Sequence, residues 1–95
     1  MLTNGGVTLY HFTGHSGYVR YYYGVANIHS SQKKEGTDLV KIRIPTALFV
    51  PVCNGDYLFL GKSESIIPEK EKCVRVTEFS DNRRGANPHW RIIAG

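Results

Sequence analysis

The sequence predicts an all-β fold: one small single-domain antiparallel barrel or sandwich of about six strands with long loops. Three observations carry this. Short runs of alternating apolar and polar residues recur along the chain, each bounded by glycine, proline, asparagine or aspartate. Aromatic and β-branched residues gather in those runs, where they suit a pleated surface. The length of 95 residues suits one domain over 1–95, with one core, and leaves little room for helix.

The first strand is predicted over 7–12, with Val7, Leu9 and His11 on one side and Thr8, Tyr10 and Phe12 on the other. A glycine-rich turn, 13–17, ends it. The second, 18–29, is long and rich in tyrosine, and Gly24 in its middle predicts a bulge or sharp bend. Residues 30–38 form a polar loop. The third strand, 39–44, turns Val40, Ile42 and Ile44 inward and Lys41 and Arg43 outward until Pro45 stops the ladder.

Residues 46–52 are apolar and read either as a helical turn or as an irregular packed connector. Cys53, Asn54, Gly55 and Asp56 then signal a turn into a short buried strand, 57–60, closed by Gly61. The stretch 62–72 holds three Glu and three Lys around Pro68, which predicts an exposed connection held by a small anchor at Ile66 and Ile67. The fifth strand is 73–79. The sixth is 89–94, where Trp90 and Ile92 share a face. Between them, the turn formers Asp81, Asn82, Gly85, Asn87 and Pro88 are expected to hold Arg83 and Arg84 out in solvent. Six such strands close on themselves to limit exposed edges.

Composition narrows the function classes. Hydrophobic residues make up 41% and charged residues 21%, and mean hydropathy is -0.29, values ordinary for a globular fold. No apolar run reaches membrane-helix length, and residues 1–6 lack the features of a signal peptide, so the chain reads as cytoplasmic in origin, with no membrane partner. Cys53 and Cys73 are twenty residues apart without a CxxC unit, which predicts two reduced, largely buried thiols. The net charge of +4 favours contact with nucleic acid or acidic protein surfaces without forming a polybasic arm.

Site chemistry is sparse. His11 and His15 run from a strand into a glycine turn, which is poor geometry for shared metal ligation, and nothing in the sequence adds Cys53 or Cys73 to such a site. Gly14, His15, Ser16 and Gly17 mimic a nucleophile turn, yet neighbouring side chains diverge. No GxSxG, phosphate loop or carboxylate pair is present. No catalytic, cofactor or metal residues are assigned, and the chain reads as a non-enzyme. The main alternative is a small-barrel binder of single-stranded nucleic acid, with Arg20, Tyr22, Tyr23 and Lys41 as a stacking and phosphate face.

In order along the chain stand Thr3 and Asn4 ahead of Val7 to Tyr10, Arg20 ahead of Gly24 and Val25, the run Val40 to Pro45, Gly55 and Asp56 opening a short strand, and Asp81-x-Arg83-x-Gly85 followed by Pro88, His89, Trp90, Arg91 and Ile92. This series resembles small neck proteins encoded in the head-to-tail gene clusters of tailed bacteriophages and prophages of Gram-positive bacteria. The resemblance spans nearly the whole chain. It implies a minor capsid or head-completion subunit of the virion neck, made in the host cytoplasm and assembled as a homo-oligomeric ring of the head closure, stopper or adaptor type. Its partners would be the portal or adaptor protein and a tail-completion protein, with non-specific contact with packaged DNA. Lys33, Lys34 and Glu35 become the candidate channel or partner loop, and Asp81, Arg83, Arg84 and Trp90 the candidate docking loop. A ring subunit of this kind should look under-finished as a monomer.

Overall fold

The computed structural model describes residues 2–15, 17–32 and 38–95, and the side chains at 5–15, 17–24, 27–29 and 39–95. Six antiparallel strands close into a barrel: β1 Leu2–Phe12, β2 Tyr18–Gln32, β3 Asp38–Ile44, β4 Tyr57–Leu60, β5 Val74–Asn82 and β6 His89–Ala94. Around the barrel they run β1-β2-β3-β6-β5-β4, with β4 pairing back onto β1 through Val7↔Leu60 to Tyr10↔Tyr57. The predicted class therefore holds, in its barrel form. One 3-10 turn, Lys70–Lys72, precedes β5.

Alternation fills the interior. Val7, Leu9, Ile28, Val40, Ile42, Ile44, Leu58, Val76, Trp90, Ile92 and Ala94 turn inward and are buried, joined by Val50 and Val52 from the connector after β3. That connector is irregular rather than helical: Pro45 to Pro51 carries only bends. Gly24 lies where the sequence places a bulge. Gly5 pairs with Ala26 and Val7 with Tyr23, so β2 spends two residues, 24 and 25, against Gly6 alone. A second bulge falls at Thr77, where β5 gains one residue on β6.

Several boundaries move for one reason. Asn4, Gly5 and Gly6 at one end and Ser80, Asp81 and Asn82 at another are turn formers by local chemistry, yet β1 starts at Leu2 and β5 runs to Asn82 because long partner strands lie alongside. The pairing also leaves two stretches bonded on one side only among the described residues. Leu2 to Gly5 pair with β2 but not with β4, and Tyr18 to Tyr23 pair with β1 but not with β3.

The outer face of β1 departs from the expected pattern most. Thr8 and Tyr10 point away from the core yet are 1% and 0% exposed, because the connection after β4 folds over them. Thr8 Oγ1 donates to Gly61 O at 2.8 Å and accepts from Ser63 N at 3.0 Å. The Tyr10 hydroxyl meets Ser63 Oγ at 2.5 Å and donates to Ser65 O at 2.8 Å, while Arg20 Nη1 donates to Ser63 O and Ser65 O at 3.0 Å each. Serines and the buried Pro68 therefore anchor this segment. The predicted anchor fails: Ile66 and Ile67 are 78% and 68% exposed. The expectation of two largely buried thiols also fails, since Cys53 is exposed and Cys73 only half-buried, although both are free.

Candidate functional site

The feature that departs most from a finished surface sits where the chain leaves β3. Trp90, on β6 beside Ile44 of β3 and Asp81 of β5, lies over the end of the core and is 3% exposed. Its indole Nε1 donates to Leu48 O at 3.0 Å, tying the connector across this end of the barrel. Phe49 meets the indole edge-on at a centroid distance of 5.7 Å, and Phe79 stacks on it at 6.5 Å. Leu48 and Phe49 are nevertheless 76% and 67% exposed, and Phe79 is partly so. The result is an apolar ledge resting on a fixed tryptophan.

Arg83 completes the ledge. Its Nε donates to Asp81 Oδ1 and its Nη2 to Asp81 Oδ2, both at 2.8 Å, while the guanidinium lies 5.2 Å from the Trp90 ring centroid and 5.7 Å from that of Phe49. The hydrogen bonds from Arg83 hold the Asp81 carboxyl below its usual range and raise the Arg83 guanidinium in turn. The expectation of two free arginines is corrected here: Arg83 is folded back onto the aromatic platform, and Arg84 alone of the pair is an exposed side chain. The proposed docking set of Asp81, Arg83, Arg84 and Trp90 is thus brought together, with Trp90 as support rather than contact. Sequence reasoning missed Leu48 and Phe49. Their apolar run reads as core, and only the Trp90 hydrogen bond shows that it lies across an open end.

The alternative nucleic-acid face is not assembled as expected. Arg20 and Tyr22 share an outer face of β2, but Arg20 is engaged by loop carbonyls and Tyr22 leans over Gly6 beneath Lys62 Nζ at 5.7 Å. Tyr23 points the other way, packs against the core and has its phenol pKa raised by burial. Lys41 stands on β3 opposite His29, along the part of β2 beyond the bulge. Lys33, Lys34 and Glu35 lie outside the described residues.

Tertiary structure makes one grouping that the sequence does not show. His11, Cys53 and Asp56 bring a ring nitrogen, Sγ and a carboxylate oxygen within 4.8 Å of one another. Such a donor set is chemically able to take a divalent transition metal. The buried Asp56 is already used, however: Oδ2 accepts from Cys53 N at 2.9 Å and pairs with His11 Nδ1 at 2.8 Å, and Oδ1 accepts from Phe12 N at 3.2 Å. The grouping works as a clasp that fixes the 53–56 turn to the end of β1. His15 takes no part in it.

The family described as a family of unknown function (DUF6751) matches residues 2–95, so the chain belongs to it. No curated protein and no solved structure matches the chain.

Proposed function

We propose that this member of the family is a non-enzymatic structural subunit of a phage or prophage head-to-tail connector, a head closure, stopper or adaptor ring under the portal. The observation that carries the reading is that, among the exposed large hydrophobics of a barrel with a closed core, the most exposed fall in two groups. One is the ledge of Leu48, Phe49 and Phe79 on Trp90. The other is Ile66 and Ile67, on the segment stitched over β1. Scattered surface hydrophobics need no explanation, whereas a grouped patch on rigid support marks a contact surface. Two separate patches suit a head-to-tail interface, the kind that closes into a ring when the rotation allows.

The singly paired stretches of β1 and β2 support the same reading, since an open strand side is covered on assembly. The test is mass measurement of the purified protein across a concentration series, alone and with any portal and tail-completion proteins found encoded beside its gene. A ring, or binding to either partner, is expected, and the pair L48S and F49S should abolish it while the protein still unfolds in a cooperative thermal transition. A strict monomer that binds neither protein overturns the proposal.

A further inference from the structure

A second surface, which shares β6 with the apolar ledge but lies on the outer face of β2, β3 and β6, carries charge that neither the fold nor the ledge uses. Register places Asn27, Arg43 and Arg91 in one row across β2, β3 and β6, and His29, Lys41 and Ile93 in the next. Arg43 and Arg91 are direct cross-strand partners. Like charges set opposite each other weaken a strand pair, so the arrangement costs stability unless an anion neutralises it. Asn27, His29, Lys41, Arg43 and Arg91, together with His89, line a groove of about 300 Å³ above Ile42. A neighbouring hollow of about 470 Å³ continues past Arg43 and His89 to Arg84.

Among the described residues, no carboxylate lines the first hollow, and the one lining the second, Asp81, is held by Arg83. In register terms Glu78 is the β5 acid nearest Lys41, and Ile93 separates the two. Among the described residues, Lys41, Arg43, Arg84 and Arg91 form no salt bridge. They are four of the twelve Lys and Arg.

We infer that this face binds the phosphodiester backbone of nucleic acid. Guanidinium forks match phosphate oxygens, and Asn27 and His29 stand beside them as further polar contacts, while His89 is held by Asn87 O and the Asn82 amide. Side chains two apart on a strand repeat at about 7 Å, giving a row of donors along which a phosphate chain can lie. Among the described residues, no aromatic side chain lines either hollow. Base stacking therefore contributes nothing, and duplex should bind at least as well as single strands, without sequence preference. The inference does not depend on the connector reading, because it uses a different surface.

The experiment is fluorescence anisotropy with a labelled duplex and a single strand of the same length, across a salt series. The wild-type protein should bind the duplex with log K falling against log salt at a slope of about -3, as for three to four neutralised phosphates. R43E with R91E should weaken binding about tenfold or more and flatten that slope by about 2, whereas the charge-matched control K70E with K72E should stay within about threefold. R43Q with R91Q serves if the reversed pair fails to fold, as judged by Trp90 fluorescence. Equal losses in both pairs, absence of salt-sensitive binding, or tighter binding of polyglutamate than of DNA overturns the inference. Retained self-association in R43E with R91E separates this result from the fate of the ledge.

Discussion

At the residue scale, Trp90 joins three jobs in one side chain: core filling, a hydrogen bond that fixes the connector, and support for Arg83, Phe49 and Phe79. Trp90→Ala should therefore cost about 3–5 kcal/mol in urea unfolding, the range for removing a large buried aromatic. Trp90→Phe keeps most of the packing but strands Leu48 O, and should cost about 1 kcal/mol for the lost bond besides the smaller ring. The Asp81 and Arg83 pair gives a pH signature. Because the folded carboxyl titrates below its ordinary value of 3.8, its contribution is complete above that pH and is lost as pH falls through the lower folded value. Carboxyl chemical shifts should place the Asp81 midpoint below 3.8, and Trp90 fluorescence should change in the same window as Arg83 loses its partner. Asp81→Asn should abolish that fluorescence step.

At the element scale, the strands were legible wherever a buried face alternates with a polar one. β4 and β6 have the bounds that alternation predicts, and the Gly24 bulge follows from a glycine inside an otherwise strong strand. Local signals end there. Nothing along 61–68 announces that Ser63 and Ser65 would seat on Thr8, Tyr10 and Arg20, since those contacts span more than forty residues. For the same reason His11 reads as separate from Asp56; Arg83 reads as free because its seat on the Trp90 and Phe49 rings exists only in the fold, although its partner Asp81 is two residues away. The bulge offers a direct test. A Cβ at Gly6 would lie 2.7 Å from Tyr22 Cζ, but that ring is 48% exposed and able to swing away. Gly6→Ala should thus cost only about 1 kcal/mol, at the low end of overpacking. In a Tyr22→Ala background the same change should cost at least about 0.5 kcal/mol less, because the two residues touch. Additive losses in urea titrations would show that Tyr22 does not set the limit at Gly6.

At the scale of the whole molecule, closure of the barrel couples every wall to every other. β6 is bonded on both sides, to β3 from Val40↔Ala94 to Ile44↔Trp90 and to β5 from Val76↔Ala94 to Asn82↔His89. It also supplies Trp90, Ile92 and Ala94 to the core. Removing residues 89–95 would strip both ladders at once, leave β3 and β5 as open edges, and expose the inner face of Ile42 and Ile44. A sheet opened in this way cannot rebury that face by local adjustment, because the partner strands are far apart in sequence and the core is one small cluster. The intact chain should unfold in a single cooperative transition by far-UV circular dichroism, with amide protons of β1, β3 and β6 exchanging together. The chain ending at residue 88 should show no cooperative transition and should aggregate at micromolar concentration. Retention of a sharp transition in that truncated chain would mean that β1 to β5 form a self-sufficient sheet, and that β6 is an addition to the barrel rather than its keystone.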